Sequence, residues 1–322
     1  MPCAHFLLTC ATPKVCFIAV LGLAGGLAAQ ISNPAAPAAD TVERLIDAGK
    51  LEEAGTLLRR QVIASGENAR TLFLEAMILH RQQRYVESNA RLKGSLELER
   101  RQPDALKLAG LNLVALGESK AARPFFEEAV ARAPDDAVAH YYLGMAAIKD
   151  LAYEFAATEF HEAIRLDPGY VDAYCSLGVA LEQEEKYEPA MRAYRKAMEV
   201  RDRLGGRTER PELNLGRLLV WLNRQQEGLP LLEKAHEMAP ASAEVLFALG
   251  EACERLGRGA DALRAFEKAA AIRPSDKQTH HYLMRLYRRA GRNAEAEREL
   301  AIIRELTERE RREAVRENAG RP

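Results

Sequence analysis

Apolar and small residues recur along this chain in one fixed phase. Gly110, Gly144 and Gly178 stand 34 residues apart, as do Gly216 and Gly250. The 38-residue step between the two sets equals one period plus a four-residue insert, Gly205-Gly206-Arg207-Thr208. Leucine precedes the glycine at Leu143, Leu177, Leu215 and Leu249. Twelve residues after it comes a small residue (Ala122, Ala156, Ala190, Gly228, Ala262). Sixteen after it comes a large one (Phe126, Phe160, Tyr194, Leu232, Phe266), and nineteen after it always alanine (Ala129, Ala163, Ala197, Ala235, Ala269). A constant period of this size predicts a stack of like supersecondary units rather than one globular core. Glycine and alanine at facing positions let two antiparallel helices approach closely. The large residue is expected to fill the gap to the next unit.

Seven residues after the glycine the chain is predicted to turn, at Gly49, Gly117, Asn223, Gly257 and Gly291. These residue types tolerate the left-handed conformation that ends a helix. Proline follows at Pro134, Pro168, Pro240 and Pro274 and stops the second helix; Asp202 takes that place ahead of the insert. Beyond Pro274, Ser275 and Gln278 have capping-box spacing for the next helix. Carried outward, the phase gives eight units: 35–68, 69–102, 103–136, 137–170, 171–204, 209–242, 243–276 and 277–310. The first two and the last are degenerate, as terminal repeats with one face in water usually are.

These columns resemble the tetratricopeptide repeat (TPR) family. Tyr141-Tyr142-Leu143-Gly144 through Tyr153, Ala156, Phe160, Ala163 and Pro168 fits its consensus nearly position for position, and Tyr174 through Leu177-Gly178, Tyr187, Ala190, Tyr194 and Ala197 fits it again. The resemblance spans residues 35–310 and implies an all-α fold, a right-handed α-solenoid (superhelix) of helix-turn-helix units. In that family the first helix of each unit supplies a concave surface. Residues three before and one after the glycine commonly point into it, and the position four after is read alongside them. Carried onto this sequence, those columns place Phe73, Met77, Lys107, Leu111, Tyr141, Met145, Ile148, Val179 and Arg217 on an inner face that would bind a peptide. The apolar members either line an open groove or pack against neighbouring helices. Farther along the same face, Glu244, Glu251 and Glu254 meet Arg285, Arg288, Arg289 and Arg292, which suggests ion pairing between units. The family's carboxylate clamp needs asparagine where Leu111 stands. Its asparagine ladder needs asparagine two before each glycine, where only Asn214 fits. Neither specialisation is expected.

The ends of the chain differ from the array. Lys14 precedes an uncharged run from Val15 to Ala29, short of the roughly 20 residues a membrane-spanning helix needs. Gly26-Leu27-Ala28 offers a small-x-small cleavage pattern. Residues 1–28 therefore read as a signal peptide or an uncleaved anchor, 29–39 as a flexible linker and 40–310 as the repeat array. Residues 305–322 read as a charged C-terminal capping helix and tail, with Glu305/Arg309, Glu308/Arg312 and Glu313/Arg316 at helical neighbour spacing. The expectation is an exported protein, periplasmic or secreted, attached to a membrane only if the first segment is retained.

Composition adds exclusions. Forty-six Lys and Arg against 47 Asp and Glu give a formal net charge of −1, without the basic excess of a nucleic-acid binder. No His-Glu-x-x-His or Gly-x-Ser-x-Gly pattern occurs. Adjacent His280 and His281 diverge by about 100° on a helix, a poor pair for one metal. No enzymatic activity, cofactor or metal is expected. The resulting reading is an adaptor or scaffold that holds a protein or peptide segment along its concave face. The alternatives are an envelope-complex assembly scaffold acting through its convex face or end units, and a non-catalytic accessory subunit of an enzyme.

Cys175 and Cys253 fall on first helices two units apart. Neighbouring helices pack about 8–10 Å axis to axis, and a disulfide reaches about 7 Å between Cα atoms, so both thiols are expected to be unpaired. Alkylation in denaturant without reductant, mapped to peptides, should modify both. A protected pair would overturn the register.

Overall fold

The computed structural model describes residues 37–319. The segment read as a signal peptide or anchor and most of the expected linker lie outside the described residues. The chain divides into two compact units, one ending at Pro168 and one beginning at Gly169. The first unit holds α1 (Pro37–Asp47), α2 (Leu51–Ser65), α3 (Ala69–Arg81), α4 (Tyr85–Leu98), α5 (Pro103–Ala115), α6 (Ser119–Arg132), α7 (Ala137–Lys149) and α8 (Tyr153–Leu166). The second holds α9 (Val171–Gln183), α10 (Tyr187–Leu204), α11 (Arg210–Trp221), α12 (Gln225–Met238), α13 (Ala243–Arg255), α14 (Gly259–Ile272), α15 (Lys277–Arg289) and α16 (Asn293–Ala319). No strand occurs among the described residues. Each odd-numbered helix packs on the even-numbered one that follows it, forming a hairpin. Within each unit the odd-numbered helices also touch one another: α3, α5 and α7 in the first, α9, α11 and α13 in the second. The fold is an all-α array of helical hairpins, as the period predicts.

The repeated glycine has a specific partner. A Cβ built on Gly110 would lie 2.6 Å from the Phe126 ring, one on Gly144 2.7 Å from Phe160, and one on Gly250 2.6 Å from Phe266. Tyr194 sits closer still on Gly178. The large residue thus lies flat against the glycine of its own hairpin, not merely in the gap to the next, which corrects the sequence expectation. It reaches the next hairpin as well: Phe126 stacks on Tyr142 at 5.6 Å and Phe266 on Tyr282 at 4.8 Å between centroids. In α11 and α12 the large residue is only Leu232, and the two backbones approach more closely. A Cβ on Gly228 would meet the Gly216 carbonyl oxygen at 2.7 Å, so Gly228 replaces the usual alanine. Where Ser88 stands in that column, its hydroxyl donates to the Ala76 carbonyl at 2.8 Å.

All eight hairpin turns among the described residues place one residue in the left-handed region. Besides Gly49, Gly117, Asn223, Gly257 and Gly291, the same position is taken by Gln83, Leu151 and Glu185, at φ of 61°, 61° and 59°. At Leu151 the turn closes with its own N–H donating to the Ile148 carbonyl (3.0 Å) and the next N–H, of Ala152, donating to Ala147 (2.9 Å). This is the double-bonded C-terminal motif that demands such a residue. Two local expectations are corrected. The cap of α15 is Asp276, accepting from the Gln278 N–H at 3.3 Å, rather than Ser275. In α16, Arg309 pairs with Glu313 at 3.0 Å rather than with Glu305.

The insert is braced. Without a proline to stop it, α10 runs 18 residues to Leu204, and Gly205 ends it at φ 68°. Arg201, 1% exposed, donates from Nη2 to Glu212 Oε1 at 2.6 Å, from Nε to Asp202 Oδ1 at 2.9 Å and from Nη1 to the Thr208 carbonyl at 2.8 Å. Its Nη1 also meets the second Glu212 oxygen. Lys234 donates to Glu212 from outside at 2.9 Å. The guanidinium therefore ties the end of α10, the insert and the start of α11 together. Losing one partner of such a buried pair costs about 3–5 kcal/mol.

Two predictions follow from this geometry. A non-glycine residue in the left-handed region costs about 1 kcal/mol or slightly more, and Leu151 is 65% exposed with little packing to lose. Leu151→Gly should therefore raise stability by about 1 kcal/mol in urea unfolding, whereas an unchanged or lower midpoint speaks against the strain. Burial pulls the Glu212 carboxyl up, but hydrogen bonds from Arg201 and Lys234 outweigh it and hold the group below its ordinary value of 4.5. A depressed carboxyl contributes stability above that value and loses it as pH falls through the lower folded value. The stability gap between the native chain and Glu212→Gln should be widest near neutral pH and shrink on acidification below about 4.5. A gap that does not change with pH would contradict the ionised pair.

Candidate functional site

Every residue singled out for binding lies on an odd-numbered helix of one unit or the other, and the structure sorts them. In the first unit Phe73, Met77, Leu111 and Tyr141 are 7–9% exposed. Phe73 and Met77 belong to a core with Val42, Ala54, Leu74 and Leu92. Tyr141 packs on Phe160 at 5.8 Å and Tyr142 at 5.5 Å between centroids. These four are core rather than an open groove, because successive odd-numbered helices close over one another. Lys107 is tied to Asp104 at 2.8 Å and to Asp136. Burial pulls its ammonium pKa down, but the two carboxylates outweigh that and hold it above its usual value.

What stays accessible in the first unit is narrower. Met145 and Ile148 on α7 and Val114 on α5 are half-buried. Val114 and Met145, with Phe126, Tyr142 and Lys149, line a cleft of about 20 Å³. Leu116, 39% exposed, and Leu151 extend the apolar strip to the hairpin turns. The cleft is a shallow dimple with room for about one water, so it suits the tip of one apolar side chain better than a small molecule.

The first unit also holds a polar network the sequence reading missed. Fully buried Asn112 donates to Ser88 Oγ at 2.9 Å and to Asn89 Oδ1 at 2.8 Å, and its own oxygen meets His80 Nδ1 at 2.6 Å. With its amide spent on donation, the Asn112 oxygen must accept, so Nδ1 of His80 carries hydrogen. Burial, the larger effect, lowers the His80 pKa against that hydrogen bond. The only sequence signals were an asparagine within an apolar helix and serine in the alanine column.

In the second unit Val179 is half-buried and Arg217 exposed, with Nη1 of Arg217 donating to Glu244 at 3.1 Å. Arg285 and Arg289 meet Glu254 at 2.5 and 3.4 Å. Glu251 accepts from the Tyr282 hydroxyl at 2.7 Å, and Glu182 from Tyr194 at 3.0 Å. Burial holds both carboxyls above their usual range despite those hydrogen bonds. In this unit charged and polar contacts join α11 to α13 and α13 to α15, and Glu182 joins α9 to α10. Arg292 instead meets Glu295 and Glu267, and Arg288 meets Glu297.

Histidines and thiols are occupied by structure. His140 meets Glu159 at 2.7 Å through Nδ1 and the Pro134 carbonyl at 3.1 Å through Nε2. His280 repeats the arrangement with Glu299 at 2.6 Å and Pro274 at 2.9 Å. Both ring nitrogens of His280 face oxygen atoms of the chain itself, so neither points to an open position where a metal could sit. No group of three or more potential metal ligands occurs among the described residues. Cys175 and Cys253 are both free and buried. Burial pushes the Cys175 thiol up to about 12 and raises that of Cys253, which leaves both unreactive.

Comparison with known proteins agrees with this architecture. Tetratricopeptide repeat profiles match residues 107–154 and 213–277, and a second such profile matches 171–203. The chain is 27% identical over 138 residues to the TPR repeat-containing protein YpiA of Bacillus subtilis (strain 168), a match covering 43% of this chain and 31% of YpiA. The Cut9–Hcn1 hetero-tetramer of APC/C contains a similar chain, with a TM-score of 0.65 and 15% identity over 76% of this chain and 48% of that one. A tetratricopeptide repeat protein from Parabacteroides merdae ATCC 43184 superposes with a TM-score of 0.60 and 16% identity, covering 77% of this chain and 96% of its own. The chain thus spans about a third of YpiA and about half of the Cut9–Hcn1 chain. At these identities the structures speak to the fold alone.

Proposed function

We propose that this chain is an exported, non-catalytic scaffold whose odd-numbered helices hold a segment of a partner protein. Tetratricopeptide repeats commonly serve as protein-interaction scaffolds. The observation that carries the reading here is the half-buried apolar strip of the first unit, Val114, Met145 and Ile148, continued by exposed Leu116 and Leu151. A contiguous apolar strip left in water marks a contact surface, and methionine adapts its shape to varied partners. Tyr141 and Leu111, buried in the core, leave little surface to a partner. Export rests on the apolar run and cleavage pattern of residues 1–28, and no helix among the described residues is long and apolar enough to cross a membrane.

Two measurements test this. Met145→Glu with Ile148→Glu should abolish co-purification of the native partner while helicity and unfolding midpoint stay near those of the parent chain; undiminished capture would overturn the strip as the contact surface. Mass spectrometry of the protein from its native compartment should find a mature terminus just after Ala28. An intact start at Met1 would contradict cleavage there.

A further inference from the structure

We infer that the cleft lined by α5, α6 and α7 receives an aliphatic side chain from a partner segment that carries a side-chain carboxylate beside it, and that Lys149 selects that carboxylate. The cleft holds about 20 Å³, and its walls are apolar, with Val114 from α5, Phe126 from α6, and Tyr142 and Met145 from α7. Lys149 is the one charged residue that lines it, and Ser119 contributes a hydroxyl group. An opening of that size accepts about one water or methyl group. The tip of a leucine, isoleucine or valine fits it, whereas an aromatic ring does not.

The charge at the rim is uncompensated. Lys149 ends α7 and is exposed, and no carboxylate among the described residues pairs with it. Asp150, the next residue, is held by Arg123 at 3.1 Å, and Glu127 by the same guanidinium at 2.8 Å. The other acids and bases of these helices are mostly matched to each other as well. Lys107 is tied to Asp104 and Asp136, and Arg132 to Glu128 at 2.8 Å. On either side of Ser119, exposed Glu118 and Lys120 form no ion pair and offset one another in charge.

An apolar opening with one free ammonium at its edge discriminates among partners by charge. A segment that covers the cleft removes water from around Lys149. A carboxylate placed there replaces that water as partner, whereas a second cation adds repulsion. Charges arranged in this way govern partner choice and association rate more than total affinity. The aliphatic tip therefore supplies the contact and Lys149 the selection. The occupant that matches both features is an aliphatic–acidic segment rather than a basic or a wholly apolar one.

This deepens the scaffold reading by naming the chemistry of the bound segment, and it rests on that reading. It can be tested without the native partner, because the Met145 methyl group reports on the cleft directly in NMR of the full-length protein labelled with ¹³C at its methionine methyls. The signal is assigned by its loss in Met145→Leu. The probes are capped peptides in which one leucine is flanked by glutamates, by glutamines or by lysines; capping removes the terminal charges, so only side-chain charge differs. The expected result is a saturable shift with the glutamate peptide, affinity several-fold weaker with glutamine and weakest with lysine. Alanine in place of leucine in the glutamate peptide should weaken binding several-fold. Lys149→Met, which keeps an unbranched chain without the charge, should bind the glutamate and glutamine peptides alike, and Lys149→Glu should reverse the preference toward lysine. No shift at Met145, equal affinity for the three peptides, or a glutamate preference unchanged in Lys149→Met would overturn the assignment. If the charge preference is absent while capture through Met145 and Ile148 holds, the scaffold reading stands and Lys149 is not its selector. Charge preference retained with capture undiminished by Met145→Glu and Ile148→Glu separates the two in the other direction.

Discussion

A large side chain laid flat on a glycine sets the distance between the two helices of a hairpin. At Gly110, Gly144, Gly178 and Gly250 there is no room for one more carbon, since a Cβ would enter the ring of Phe126, Phe160, Tyr194 or Phe266. Those rings are also almost completely buried. The glycine costs about 1 kcal/mol in helix propensity relative to alanine, yet the array keeps it, because a ring cannot move aside within a close-packed seam. The sixth hairpin, α11 with α12, shows the same constraint from the other side. With the smaller Leu232 in the ring's place, the helices move together until Gly228 touches the Gly216 carbonyl. In the second hairpin, where Ala76 carries a methyl, the opposing residue is Leu92 rather than an aromatic ring. Size is traded between the two columns while the seam remains filled.

The period was legible because this seam repeats. The turn position was equally legible as a column, though not from residue type alone. Gln83, Leu151 and Glu185 adopt the same left-handed φ as the glycines, which only their place in the period indicates. Exposure was much less legible. Met77 and Leu111 share a column with Met145 and Arg217, yet they are buried while the latter are not. How far adjacent odd-numbered helices close depends on their small residues and on the side chains of both neighbours, which no single column records. Arg201 was illegible for a related reason. An arginine in a helix rich in charge reads as solvated, and only the chain folding back through Thr208 and Glu212 makes it a buried tie.

The odd-numbered helices are chemically different in the two units. In the first they offer half-buried Val114, Met145 and Ile148, while Leu111 and Tyr141 are buried. In the second, carboxylates, arginines and a tyrosine hydroxyl join α11 to α13 and α13 to α15. Exposed ion pairs contribute little to stability individually, so these contacts act mainly by fixing which polar groups remain available to a partner. That division follows from local sequence within a common backbone. Repeat architecture allows it because each hairpin contacts chiefly its neighbours.

The claim underlying this account is that ring-on-glycine packing holds each hairpin closed, and a double-mutant cycle at Gly144 and Phe160 tests it most directly. In urea unfolding, Gly144→Ala should lower stability by about 1–3 kcal/mol from overpacking, although alanine is the better helix former. Combining it with Phe160→Leu should recover much of that loss, with a coupling energy within about 0.5–3 kcal/mol. A Gly144→Ala chain as stable as the parent or more so, with effects that simply add to those of Phe160→Leu, would contradict the account.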